Sequence, residues 1–190
     1  MAIPSGGPLS DVRVLDLTSV VMGPLATQIL GDMGADVISV EEIGGDTNRF
    51  MGPGPHPQLS GVSLNLLRNK RNISLDLKHP DGREACLRLA ERSDIVVTNL
   101  RPGPLGRLGL TYEAVRARNP RVIFCQAQGW PTDGEHGNRP AYDDVIQSAS
   151  GLADTFLQRD GTPAIAPTIV ADKVSGLTIV YAVLAALHHR

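Results

Sequence analysis

Asp172 is the residue that its neighbours best equip for chemistry. It falls between an apolar run, Ile165–Ala171, and a final segment with helical periodicity, which puts it at a loop–helix junction. An Asp at such a junction most often caps the helix by accepting a backbone N–H. The same carboxylate can instead serve as a covalent nucleophile or a general base. Glu41 is a second candidate. It lies about 24 residues beyond Leu17, near the spacing at which dinucleotide-binding folds place a ribose-binding acid. The turn that should cradle a pyrophosphate reads Thr-Ser-Val-Val-Met-Gly-Pro, however, without G-x-G-x-x-G, and no Walker pattern occurs. A third set is cationic. Arg68, Lys70, Arg71, Lys78, Arg101 and Arg107 could together neutralise the phosphates of a coenzyme, although each alone reads as a solvated surface residue.

Other chemistries find little support. The five histidines, His56, His79, His136, His188 and His189, form no i, i+4 pair and no ligand cluster, so no metal site is expected. His188 and His189 instead complement the C-terminal dipole of the last helix. The nucleophile elbow G-x-S-x-G is absent. Cys86 and Cys125 are too few for a disulfide framework and sit in apolar segments, as reduced core thiols do.

The elements that must hold these residues alternate between strand and helix. Val12–Leu17 reads as a strand, and Gly23-Pro24 opens a helix because Pro loses nothing at a first turn. Leu25, Ile29 and Met33 follow at four-residue spacing, with Gly34 as C-terminal cap. Val37–Glu41 is the next strand. An irregular, Gly- and Pro-rich stretch from Ile43 to Ser63 has the length of a functional loop. Order resumes with strand Arg71–Lys78, helix Asp81–Arg92, strand Ile95–Asn99, helix Tyr112–Arg118 and strand Val122–Ala127. Gly129–Pro140 is irregular, and helices are predicted at Asp143–Ala153 and Asp172–His189. No internal repeat or low-complexity tract interrupts the series. The pattern predicts an α/β fold, a Rossmann-like, mostly parallel open sheet with flanking helices. Ligands of such sheets bind outside the carboxyl ends of the strands, here Thr18–Met22, Glu41–Gly45, Asn99–Gly103 and Gln128–Trp130.

Composition narrows the function classes. The 190 residues are 42% hydrophobic and 20% charged, as in ordinary globular domains, so disorder is excluded. A net charge of −2, with aromatics at only 4%, argues against a nucleic-acid binder. The longest uninterrupted apolar run, Ile179–Leu187, is too short to span a bilayer, and the first residues show no signal pattern. A cytoplasmic protein with no membrane partner is expected.

Several motifs then fall in register. Gly23-Pro24, Gly34-Ala35-Asp36-Val37-Ile38 and Val40-Glu41 are followed by Asn69-Lys70-Arg71-Asn72-Ile73-Ser74-Leu75-Asp76-Leu77-Lys78. Asp94-Ile95-Val96-Val97-Thr98-Asn99-Leu100-Arg101-Pro102-Gly103, Arg107-Leu108-Gly109-Leu110, Asn119-Pro120-Arg121-Val122-Ile123 and Ser150-Gly151 complete the series. From about Pro8 to Arg190 the chain resembles the class III CoA-transferases, the family of formyl-CoA, carnitine-CoA and bile-acid-CoA transferases. The resemblance implies that Asp172, followed by Ser175-Gly176, is the covalent nucleophile in transfer of CoA from an acyl-CoA to a carboxylic acid. It maps coenzyme contacts onto Val20, Val21, Met22, Leu75, Lys78, Asn99, Leu100, Arg101, Arg107, Gln128 and Gly129. Coenzyme A enters as the thioester substrate, and no prosthetic group is implied. Glu42 stands where an arginine often meets the adenosine end of the coenzyme, and Val21 replaces a glutamine found in some transferases.

The racemase branch of the family pairs the aspartate with a histidine, and that position is Tyr142 here. A phenol, with an ordinary pKa of about 10, is a poor base near neutrality, so transfer is favoured over racemisation. Similar proteins are about twice as long and form interlocked homodimers. Residues 1–190 would then be the N-terminal portion of the large coenzyme-binding domain, working as a homodimer or with a complementary chain. A non-catalytic binding or assembly half is the alternative.

Overall fold

The computed structural model describes residues 6–137 and 139–190, the side chains of Gln158 and Asp160 excepted. Residues 1–5, part of the stretch read for a signal pattern, lie outside the described residues. Five strands form one parallel sheet: β1 (Arg13–Leu17), β2 (Asp36–Glu41), β3 (Lys70–Ser74), β4 (Ile95–Thr98) and β5 (Ile123–Gln126). Their order, β3-β2-β1-β4-β5, is that of a doubly wound Rossmann-type sheet. Val14 of β1 pairs with Val37 of β2 on one side and Ile95 of β4 on the other, so the direction of winding reverses at β1.

Helices cover both faces, as strands apolar on both sides require. Val14 and Leu15 point to opposite faces of the pleat, and each seeds a core. On the first face Val14, Val37 and Val97 pack beneath α1 (Met22–Asp32) and α8 (Val170–His189). On the second, Leu15, Ile38 and Val96 meet α3 (Pro80–Glu91), α4 (Pro102–Leu108) and α5 (Tyr112–Arg118). Cys86 lies wholly inside this second core, and burial pushes its thiol up to about 12, which makes it inert.

Helix α8 is apolar nearly all round. By length and composition alone it is long enough to cross a membrane, which the run Ile179–Leu187 by itself is not. In this fold it lies along α1, burying Gly176, Ile179, Val180 and Val183, while Val174, Leu177 and Tyr181 stand exposed. The crossing is close at Gly176, where a Cβ would meet Leu25 Cδ2 at 3.0 Å and the Met22 carbonyl oxygen at 3.1 Å.

Several predicted boundaries move. β3 ends at Ser74 rather than Lys78, because its last partner, Glu41, is also the last residue of β2. Leu75–Lys78 is therefore loop. The irregular stretch 43–63 contains a 3-10 turn, Thr47–Phe50, and runs into α2 (Gly61–Leu66), whose first turn Ser60 caps by accepting from the Ser63 N–H at 3.1 Å. α4 also escaped the periodicity reading, although Pro102 at its start and Gly109 in the left-handed conformation after its end are standard punctuation. α6 (Asp143–Ala149) stops short of Ala153, because Gly151 turns the chain at φ 82°. A 3-10 turn, Ala153–Phe156, and α7 (Leu157–Asp160) follow.

The cationic set does not converge on one ligand. Lys70 opens β3 at the amino end of the sheet, opposite the binding edge. Its ammonium is buried and donates to Asp16 Oδ2 at 2.9 Å, Thr27 Oγ1 at 2.8 Å and the Pro24 carbonyl at 3.0 Å. Arg68 pairs with Asp32 and Arg71 with Asp36, each at 2.7 Å. These three cations are structural, and the reason is topological: a parallel sheet presents their end of β3 away from the site.

Removing one partner of a buried pair strands the other charge, at a cost of about 3–5 kcal/mol. Lys70→Met is expected to lose stability on that scale in urea unfolding. Adding Asp16→Asn is expected to recover part of the loss, because the amide oxygen still accepts from the Thr18 N–H while the stranded charge is gone.

Candidate active site

The winding reverses between β1 and β4, and the chain opens there into a cleft. A mutual amide clamp builds its floor: the Ser19 N–H donates to Asn99 Oδ1 at 3.1 Å, and Asn99 Nδ2 donates to the Ser19 carbonyl at 2.8 Å. The clamp locks the end of β4 to the end of β1. Immediately after it Val20 adopts φ 68°, a left-handed conformation that a β-branched residue avoids. Asn48 holds that turn by donating its side-chain amide to the Val20 carbonyl. Strain of this sort, on the order of 1–3 kcal/mol, persists where surrounding contacts over-determine it and is common at functional sites. It turns the chain directly into α1.

The cleft encloses about 130 Å³ and is lined by Val20, Val21, Met22, Asn99, Arg101, Ala127, Gln128, Gly129, Trp130, Gly137, Arg139, Ala141, Tyr142 and Asp172. Most of the predicted site residues thus share one wall system with the predicted nucleophile. Two helix N-termini, those of α1 and α8, open into it, each carrying partial positive charge.

Asp172 is not the N-cap. Ile169 occupies that position without a side-chain cap, and Asp172 sits three residues further along, within the first turn. Its backbone N–H donates to Asp143 Oδ1 at 3.0 Å, from the first turn of α6. The fully buried Gln147 fixes this contact. Its Nε2 donates to Asp143 Oδ2 at 2.5 Å and to the Thr168 carbonyl at 3.1 Å, while its Oε1 accepts from the Ala166 N–H at 2.9 Å. Burial raises the Asp172 carboxyl above its ordinary 3.8, and the Asp143 charge raises it further. The result is a partly desolvated carboxylate, destabilised as an anion and correspondingly reactive. Two N–H groups of this helix start are already spent, the Asp172 N–H on Asp143 and the Val170 N–H on the Thr168 carbonyl at 2.9 Å.

A second, larger cavity of about 510 Å³ opens beside the first, over the carboxyl ends of β1, β2 and β3. Leu75, Lys78 and Leu100 line it, with Leu17, Val40 and Leu77 supplying apolar surface and Glu42 and Asp76 acidic surface. Glu41 also borders it, but its oxygens are committed. Arg49 donates Nε to Oε2 and Nη2 to Oε1, each at 2.6 Å, and the Asp46 N–H and Asn72 amide add two more bonds. Burial alone would raise the Glu41 carboxyl, but these donors outweigh it and hold the group below its ordinary range. Glu42, not Glu41, is the exposed acid at this strand end. Arg107 stands exposed in the last turn of α4 and lines neither cavity.

Asn99 and Gln128 were expected as coenzyme contacts, and both carry a structural duty as well. Asn99 spends its amide on Ser19, and Gln128 donates to the Leu100 carbonyl at 3.0 Å. Five cleft residues were not singled out individually beforehand: Ala127, Trp130, Gly137, Arg139 and Ala141. The signal available was position, since all lie in the loop after β5. Among the described residues no group of three His, Cys, Asp or Glu is spaced to hold a metal ion.

Residues 9–190 match the family described as CoA-transferase family III. The chain is 39% identical over 189 residues to the succinate–glutarate CoA-transferase of Agrobacterium fabrum, covering 96% of this chain and 47% of that protein. It is 38% identical over 192 residues to the succinyl-CoA:mesaconate CoA-transferase of Haloarcula hispanica, covering 97% and 48% respectively. A solved structure of a CaiB/BaiF family protein from Brucella suis superposes with a TM-score of 0.92 at 34% identity, covering 98% of this chain and 50% of that one. The chain therefore spans about half the length of the curated relatives it matches. Sheet order, reversal-point cleft and family match agree: this chain belongs to CoA-transferase family III.

Proposed function

We propose that the protein moves coenzyme A from an acyl-CoA to a carboxylic acid, with Asp172 as covalent nucleophile. The observation that carries the reading is a partly buried, reactive carboxylate in the first turn of α8, inside a cleft at the sheet's reversal point. Asp172 attacks the thioester carbonyl; the C–S bond breaks, giving an aspartyl–acyl anhydride and CoA thiolate. The thiolate then attacks the aspartyl carbonyl, forming the enzyme–CoA thioester and releasing the donor carboxylate. The acceptor carboxylate attacks that thioester, and the thiolate expelled takes the acyl group from the second anhydride, which restores Asp172. No proton or redox equivalent is consumed. The positive end of α1 is suited to the thiolate and the oxyanions of these steps.

In the same reading the larger cavity takes the nucleotide end of the coenzyme, and residues 1–190 form the N-terminal portion of the large domain. The remaining half of the fold, and the homodimer or complementary chain that completes it, supply what these residues do not. A cytoplasmic setting belongs to the same proposal. Racemisation is disfavoured because Tyr142, at the position of the racemase histidine, lines the cleft beside Asp172.

The chain incubated with a panel of acyl-CoAs, then treated with borohydride or hydroxylamine, is expected to show an intact-mass change on wild type and none on Asp172→Ala. A wild-type protein that binds CoA and yields no adduct with any donor sinks the assignment for this chain and leaves a binding or assembly half.

The raised carboxyl makes a separate, thermodynamic prediction. A folded-state pKa above the ordinary 3.8 means that the folded protein holds the proton to higher pH than the unfolded chain. Ionised Asp172 thus lowers stability; the penalty is absent below pH 3.8 and complete once pH passes the folded value. Asp172→Asn is expected to melt above wild type at pH 7, with the gap closing as pH falls toward 4. Equal melting temperatures throughout that range would contradict the shift.

A further inference from the structure

The larger cavity is lined by more acid than base. It lies over the carboxyl ends of β1, β2 and β3, and Lys78 is the one cation among the described residues that line it. Of its four acids, Glu41, Glu42, Asp46 and Asp76, two are already answered. Arg49 donates twice to Glu41, each time at 2.6 Å, and Asp46 accepts from the Ser19 hydroxyl at 2.6 Å and the Asn48 N–H at 2.8 Å. Asp76 accepts from the Lys78 N–H through one oxygen at 3.0 Å. Glu42 has no such partner: among the described residues no donor or cation reaches its carboxylate, which stands exposed on the cavity wall.

The backbone fixes where that charge stands. Glu41 is the last residue of β2, and Glu42 follows it directly. The Gly45 N–H donates to the Glu42 carbonyl at 2.9 Å, and Gly45 takes φ 91°, so the chain turns back at once and keeps Glu42 at the strand end. In dinucleotide-binding sheets of this winding a carboxylate accepts from a free ribose hydroxyl, and a cation serves instead where the ribose is phosphorylated. The reason is charge. A phosphate monoester carries about −1.5 to −2 at neutral pH and is repelled by a carboxylate to which a hydroxyl would donate. Coenzyme A bears a 5′-diphosphate and a 3′-phosphate on one ribose. Lys78 can answer the first, and no other cation among the described lining residues is left for the second.

We propose that Glu42 is the specificity determinant of the larger cavity: it accepts a hydrogen bond from an unesterified ribose hydroxyl and repels a phosphate there. The chain then takes the coenzyme without its 3′-phosphate in preference to coenzyme A itself. The inference rests on the reading above that this cavity receives the nucleotide end.

Dephospho-coenzyme A and coenzyme A differ only in that phosphate, so the ratio of their Kd values isolates it. Both are titrated into the chain by calorimetry at low salt, for wild type, Glu42→Gln, Glu42→Arg and Lys78→Gln. An exposed charge contact supports a preference of about 5-fold, and wild type is expected to bind dephospho-coenzyme A more tightly by that factor. The ratio is expected to fall to near unity in Glu42→Gln and to reverse in Glu42→Arg. Lys78→Gln is expected to weaken both ligands and keep the ratio. Equal affinity or a preference for coenzyme A in wild type overturns the proposal, as does a ratio that survives Glu42→Gln. Adduct trapping on Asp172 with acyl-CoA donors, in the same wild-type preparation, separates the two claims. An adduct with no preference between the coenzymes refutes Glu42 alone. The expected preference without any adduct supports Glu42 and refutes covalent transfer. Binding of neither coenzyme overturns both this proposal and the assignment of the cavity.

Discussion

Lys70 and Asp16 are both withdrawn from water, and the fold is arranged around keeping them together. Asp16 lies on β1, the strand where the winding reverses, and Lys70 opens the edge strand two places away. The ammonium also reaches Thr27 and the Pro24 carbonyl on α1, so one charge ties the central strand, the edge strand and the first helix. Asp16 accepts from the hydroxyls of Thr18 and Thr27 at 2.5 and 2.6 Å, which leaves neither oxygen wanting a donor. Apolar residues of similar size could fill the same space with comparable stability. What they would lose is direction, since dispersion does not tell α1 where along β1 to begin. The pair fixes the seat of α1, and the strained turn at Val20 and the helix start at Met22 follow from it.

From that seat the site assembles by short links. Asn99 clamps β4 to the turn before α1, Gln128 pins the Leu100 loop, and Gln147 holds Asp143 where it can receive the Asp172 N–H. Each link is a side-chain amide joined to backbone or carboxylate, and none of these links brings a cation to the nucleophile. That choice has an electrostatic result: the charge close behind Asp172 is another acid, and burial and Asp143 act in the same direction on its carboxyl. Glu41 shows the opposite arrangement at the end of β2, where Arg49 and two amide donors overcome burial. One carboxylate is kept reactive and the other is neutralised into scaffold.

Much of this was legible in the residues. The β-α-β rhythm, the parallel sheet and the strand ends that carry the site follow from apolar runs alternating with helical spacing, because a parallel sheet buries both faces and writes continuous Val, Ile and Leu into each strand. Asp172 was visible from its junction with an apolar segment, but not its place in the helix, which starts two residues earlier with Val170 and Ala171 in its first turn. The cationic set shows the limit more sharply. Lys70 and Arg71 adjoin Lys78 in sequence, but a strand separates them, so one end meets buried acids and the other meets the cavity. Periodicity gives no pairing information of that kind. α2 and α4 are each under two turns long, too short for an apolar stripe to declare itself, and only their cap residues marked them. Arg139 carried no motif at all; its place on the cleft wall comes from a loop whose feet touch.

Gly176 lies about one helical turn beyond Asp172, roughly 6 Å along the axis of α8. Its missing side chain lets α8 rest on the Met22 carbonyl and Leu25 of α1, and even a methyl group would crowd both. Any larger residue there must lift α8, and with it the carboxylate one turn away. The range of amino acids tolerated at a position facing only another helix is therefore set by the placement of an atom it never touches. In a lineage drifting under selection for that atom, 176 would be held as firmly as 172 while having no part in the reaction.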